Sequence, residues 1–533
     1  MVEIIKKSHQ YIYFFGLLVI VIGLPLSTAM MSIGQMILVI SWIVGGNYKL
    51  KWKQFLQNKT AIIITSLFLL HLIGLIFTTD YQYALKDLRI KLPILFLPFI
   101  IATSTKISEK KFIFILLTFI TAVLTSTAYS FYLYLTSNFI DIRDICVFIS
   151  HIRLSLLIVL SIFILLYFII KKKTFIIPLK IIFSLIVIWF LYFLFITESF
   201  TGISITVFLI LFIVGYFIVK LKNKWIKILF LFILIFIPLF IYYNFNKVYK
   251  EYKELTQEKE VQIHEKTILG NYYSHDTLNK ETENGYRVYV NIAEEEMKKE
   301  WNKKSSLDYE GKDKKNQDLK YTIIRFLTSK GLNKDSISVH SLTKDEIAAI
   351  EKGISNTVYL NEYSLKTRIL KIFWEYDNYK KYRNPTGYSV MQRIEYWKTS
   401  IGILKENFIF GVGTGDLNIA FEQQYLKMNS LLSKQWQLRS HNQFLSIFAA
   451  FGVFGFIWFL ITLFFPLKYK WVRKDYYYLV FFIIFLISML TEDTLESQAG
   501  LTFYIYFTCL FLFGREACFA KNSEKEKKKK LTC

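Results

Sequence analysis

The stretch Trp225–Tyr242 reads WIKILFLFILIFIPLFIY, a run whose one charge is Lys227. It approaches the roughly 20 apolar residues that cross a bilayer core. Directly after it the chain changes character: residues 244–441 are polar, with Trp, Tyr and Ile at intervals. A membrane span therefore opens into an inserted domain, and this junction sets the frame for the rest. Working outward, Tyr11–Met30, Thr60–Phe77 and Phe112–Leu135 are runs of the same kind. About twelve spans follow, near 11–29, 31–46, 60–77, 91–104, 112–135, 154–170, 175–196, 203–219, 225–242, 442–465, 477–490 and 500–514. The second, fourth, eleventh and twelfth are short. The N-terminus, with Lys6 and Lys7 before its apolar run, resembles a signal peptide, but a second apolar segment follows at once. An uncleaved first span is the better reading.

The formal net charge of +24 first suggests nucleic acid. The positions of the charges exclude it. Lys and Arg cluster between apolar runs and in the tail Lys521–Lys530, which encodes orientation and meets anionic headgroups of membrane lipids. With the N-terminus inside, Lys49/Lys51/Lys53/Lys59, Lys106/Lys110/Lys111, Lys171/Lys172/Lys173, Lys220/Lys222/Lys224/Lys227 and Lys468/Lys470/Arg473/Lys474 all fall inside. The alternate loops Met30–Met31, Glu198–Gly202 and Thr491–Gln498 are poor in basic residues, as the positive-inside rule requires. Asp80–Pro93, with Lys86, Arg89 and Lys91, is the breach.

The expected architecture is an α-helical polytopic membrane protein: an N-terminal bundle of about nine spans (1–243), a large mixed α/β outer domain (244–441), a C-terminal bundle of about three spans (442–514) and a basic inner tail (515–533). In the outer domain Asn291–Trp301 reads as a helix and Thr322–Leu327 as a strand. Thr343 with Glu346 forms a capping box. The four cysteines make no disulfide framework and no Cys-x-x-Cys pair.

Ser389–His441 carries most of the chemical signal. A helix from Val390 to about Lys405 places Arg393 at its N-terminal end, with Ile394, Trp397, Ile401 and Leu404 toward membrane or core. Phe410-Gly411-Val412-Gly413-Thr414-Gly415-Asp416 offers a backbone that can approach a phosphate closely. No strand precedes it and no Gly-Lys-Ser/Thr follows, so a tight turn between helices is favoured. Arg439-Ser440-His441-Asn442 stands where the chain re-enters the membrane. There a His is well placed for proton transfer, although on spacing alone a helix-capping polar cluster is favoured. Arg153 opens a span and either snorkels or joins Arg89 and Lys91 in a cationic site. Several cations from different helices can hold a diphosphate without a metal. No outer Asp-x-Asp or His-x-x-x-His exists, so no metal and no cofactor is expected. Glu492-Asp493 with Glu496 reads as a solvated loop.

These motifs in their order, Gln392-Arg393-(x)3-Trp397, Phe410–Asp416, Arg439–Leu445 and Phe451-Gly452-Val453-Phe454-Gly455, resemble the O-antigen ligase and polymerase superfamily. Asp87–Pro93, His151-Ile152-Arg153, Glu283-Asn284-Gly285-Tyr286, Leu327–Leu332 and Glu492–Gly500 are further similar to its Bacteroidetes ligase-like branch. The resemblance implies a metal-independent transferase in the bacterial inner membrane, with the large domain in the periplasm. Its donor would be undecaprenyl-diphosphate-linked glycan and its acceptor lipid A-core, another lipid-linked repeat, or a protein Ser or Thr. By likeness His441 and Arg393 match catalytic positions. Arg153, Arg89, Lys91 and Arg439 are assigned to the diphosphate. One departure stands out: ligases of the family often carry Thr-x-Ser-Arg-x-Gly after an earlier span, where this chain has Thr197-Glu198-Ser199-Phe200-Thr201-Gly202, and Arg153 is the expected substitute. A transporter is the rival from another class, but the halves show no repeat, charges mid-span are scarce and the candidate residues gather at the outer face.

Overall fold

The computed structural model describes residues 2–137, 142–360 and 365–516. The tail lysines 521–530, and with them Cys518 and Cys533, lie outside the described residues. The chain divides into two compact units, residues 1–217 with 385–533, and residues 218–384. The segment 385–441, which carries Arg393 and His441, thus packs within the first unit.

The protein is a helical, multi-pass membrane protein. Among the described residues eight helices are long and apolar enough to span a bilayer, or nine if one bent pair counts as a span. The expected number was about twelve, and the difference has local causes. The second segment breaks after Val44, and its halves Thr28–Val44 and Tyr48–Gln57 meet at 116°. Gly46 and Asn47, both at positive φ, make the corner, a conformation that Gly and Asn tolerate best. The fourth segment is the second half of a Tyr81–Thr103 helix, whose first half carries Lys86, Asp87, Arg89 and Lys91. The last two are the short helices Tyr476–Thr491 and Gln498–Cys509, the latter prolonged by a wide turn over Leu510–Gly514. These two are nonetheless core: Phe481, Phe485, Tyr506 and Phe507 are at most 1% exposed.

The inserted unit is not mixed α/β. Among the described residues its strands amount to one two-stranded antiparallel ribbon, Thr282–Glu283 against Tyr286–Arg287. The expected strand at Thr322–Leu327 lies inside the helix Leu319–Ser329. Leu319, Ile323, Phe326 and Leu327 recur at i, i+4, i+7 and i+8, and all four are buried, which is a helical stripe. They pack in one cluster with Met297 and Trp301 of the helix Glu294–Lys304. Thr343 and Glu346 do form the capping box.

Candidate functional site

The glycine run and the second glycine motif explain each other. The helix Gln443–Phe464 breaks at Gly452, where φ is 62°. Into the break fits the 408–413 segment: Val412 and Gly413 donate their backbone N–H to Ala449 and Ala450 at 3.0 and 2.8 Å, and Val453 donates to Phe408 at 2.8 Å. A Cβ on Gly452 would lie 2.2 Å from the Ile409 carbonyl oxygen, and one on Gly411 2.4 Å from Ala450. The N–H groups of residues 411 through 415 all donate to protein acceptors, to Asn407, Ala449, Ala450, Gly74 and the Thr78 hydroxyl. None is left to cradle a phosphate, and the run is a structural turn. Asp416 closes it by accepting from the backbone N–H groups of Thr79 and Asp80 at 2.8–2.9 Å.

This docking fixes the entrance to the Gln443–Phe464 helix. Asn442 caps it, its side-chain oxygen accepting from Phe444 and Leu445 at 3.1 and 3.2 Å. His441 just before is left-handed, φ 46°, uncommon for a residue with a side chain. Its backbone N–H donates to Asp493 at 3.1 Å. The same carboxylate accepts from Ser440 and Ser446 at 3.2 and 2.8 Å. The Tyr396 ring stacks on the imidazole at 5.4 Å between centroids.

The loop between Thr491 and Gln498 is the hub, not the solvated loop its composition suggested. Glu492 meets Arg393 Nη2 at 3.4 Å through one oxygen and His441 Nδ1 at 3.4 Å through the other. Arg153 is within electrostatic reach of the same carboxylate. Glu496 meets Lys91 at 2.9 Å, Arg439 at 3.4 Å and the Gln443 amide at 2.9 Å. Burial opposes its ionisation, but Lys91 and Arg439 outweigh burial and hold the carboxyl well below the usual range. Asp493 goes the other way. Burial and the Glu496 charge raise it above the ordinary value, despite Ser446, Arg439 and His441.

The six residues singled out in the sequence are therefore sorted by two carboxylates. Arg393, His441 and Arg153 gather on Glu492. Lys91 and Arg439 gather on Glu496: Lys91 is 1% exposed, donates also to the Leu495 carbonyl at 2.7 Å and lies 3.7 Å from Asp87, while Arg439 donates to the Tyr83 hydroxyl at 2.8 Å. Arg89 joins neither group. It lies two residues from both Asp87 and Lys91, roughly 200° around the helix, and is exposed. Phe200, which stands where the resemblance leads one to expect an Arg, is 67% exposed. Nearby Gly202 packs on Ser155, where an added Cβ would be 2.9 Å from the serine Cβ, so this loop abuts the helix turn that carries Arg153.

Sequence reasoning missed Glu492, Asp493, Glu496, Gln443 and Tyr396. The available signal was complementarity: three carboxylates within five residues, in a chain whose other outer motifs are rich in Arg and His.

A multi-pass helical membrane protein with paired cations gathered on one interhelical loop is the class that fold and site define. Residues 353–460 match the family described as O-antigen ligase, a segment that contains Arg393, the glycine run, Arg439 and His441. No curated protein matches the chain.

Proposed function

We propose that this chain transfers a glycan from a polyprenyl diphosphate, undecaprenyl diphosphate in the bacterial inner membrane, to an acceptor hydroxyl on the periplasmic side. The reading rests on the family match and, in the structure, on one observation: Arg393 and His441 share the Glu492 carboxylate at 3.4 Å each. Contacts that long are loose for charge-assisted pairs, which favour about 2.7–2.9 Å. A diphosphate can exchange with Glu492 for the guanidinium of Arg393, with Arg153 adding charge.

The acceptor oxygen forms a bond to the sugar C1 while the bond from C1 to the diphosphate oxygen breaks. In-line attack inverts the anomeric centre. Arg393 and Arg153 stabilise charge growing on the leaving diphosphate, the term that matters most where water is excluded. His441 takes the hydroxyl proton or orients it by hydrogen bond, and Glu492 holds the imidazole in position. Lys91 and Arg439 act at one remove, by fixing Glu496 and thereby the loop.

Reconstituted protein, defined lipid-linked donor and a panel of acceptors test this. Glycan joined to lipid A-core marks a ligase, glycan joined to a second lipid-linked repeat a polymerase, and glycan on Ser or Thr a protein glycosyltransferase. No transfer to any of the three, with donor intact, contradicts the reading.

A further inference from the structure

The inserted unit contains an open groove of about 1020 Å³, at the upper end of the span of about 300–1,000 Å³ typical of small-molecule sites. Three tyrosines, Tyr272, Tyr289 and Tyr321, line it together with Asn271, Glu295 and Lys299. Tyr272 is 68% and Tyr321 47% exposed, which leaves ring surface open to a ligand. Each carries a lysine ammonium over its ring, Lys266 at 4.5 Å and Lys320 at 5.4 Å, which restrains the ring in place.

The charges of the groove are largely spent on one another. Glu294 pairs with Lys320 at 3.5 Å, and Glu300 pairs with Lys303 and His340 at 2.9 and 2.8 Å. Glu296 is buried and satisfied by Thr267, Asn271 and Ser336. Four carboxylates face three ammonium groups in the lining, so the groove carries almost no net charge. That disfavours phosphate and nucleic acid, which need a cationic surface. Flat exposed rings beside planar carboxylate and amide edges suit a ligand with apolar C–H faces and a rim of hydroxyls.

We propose that this groove binds the saccharide portion of the glycan. This rests on the transferase reading for the source of the glycan, though not for the binding itself.

The test uses full-length protein in nanodiscs and, as probe, the glycan freed from its lipid diphosphate by mild acid, followed by calorimetry. The wild type is expected to bind it. The double variant Tyr272→Ala/Tyr321→Ala should bind about ten-fold or more weakly, and Tyr272→Phe/Tyr321→Phe, which keeps the rings, should bind as the wild type does. The phenylalanine pair also serves if the alanine pair fails to fold: strengthened or unchanged binding supports ring stacking. Absence of binding to the wild type, while that same preparation transfers glycan from the lipid-linked donor, overturns the groove and spares the transferase. Binding without any transfer does the reverse. Equal binding by wild type and a folded alanine pair also overturns the groove.

Discussion

Arg393 and His441, far apart in sequence, are bridged by opposite oxygens of the one Glu492 carboxylate, at 3.4 Å on each side. The bridge sets both side chains toward one point. Glu492→Gln retains the shape but loses the charge that orients the pair. Its transfer rate should fall by about ten-fold or more, with unchanged thermal unfolding. A variant with wild-type kinetics means that Glu492 positions nothing.

Lys91 is predicted to matter for stability. Its ammonium is buried against Glu496, Asp87 and the Leu495 carbonyl. Lys91→Met strands Glu496 with one partner fewer, at a cost of about 3–5 kcal/mol. Adding Glu496→Gln should recover part of that loss, because the stranded charge goes with it. Unfolding midpoints of the two single variants and the double variant decide this. Simple additivity contradicts the pair.

The Glu496 carboxyl also predicts an acid dependence. Its folded value is depressed below the ordinary 4.5 by Lys91 and Arg439. Its stabilisation is therefore complete above that ordinary value and drains away as pH falls through it toward the lower folded value. Asp493 has the opposite sign, since its folded value is raised. The comparison that isolates Glu496 is wild type against Glu496→Gln. The stability gap between them should be constant above about pH 5 and narrow as pH falls below it toward the lower folded value, and a gap that stays constant throughout contradicts the assignment.

Gly452→Ala tests the docking of the glycine run. The new methyl would meet the Ile409 carbonyl at 2.2 Å, at a φ of 62°. The left-handed backbone alone costs about 1–2 kcal/mol, and the clash adds to it. Loss of folded protein by size-exclusion chromatography is expected. Gly387→Ala, also at positive φ but with open space around its Cβ position, should be tolerated better.

Much of this was legible in the sequence, and the failures have causes. The long apolar runs became helices because a bilayer admits little else. The helix Ser389–Glu406 formed where expected; Leu404 is buried together with Met391, Gln392, Glu395, Tyr396, Thr399, Ser400 and Ile403, while Trp397 and Ile401 are exposed, within the membrane-or-core placement expected of them. Beside a bilayer, apolar residues can face lipid, so hydrophobicity no longer marks the inside. The Tyr81–Thr103 helix was half-hidden by its charges, which pair across to another loop. Such partners are separated by hundreds of residues, so Lys91 and Glu496 looked like an orientation breach and a solvated loop.

The most direct measurement follows lipid diphosphate release in nanodiscs for the wild type, His441→Ala and Arg393→Ala. The wild type should release one undecaprenyl diphosphate per glycan joined to acceptor. His441→Ala should lose about 10²–10⁴ of the rate, and Arg393→Ala about 10²–10³, both remaining folded. Undiminished transfer by either variant contradicts the site, and with it the role given to the Glu492 bridge.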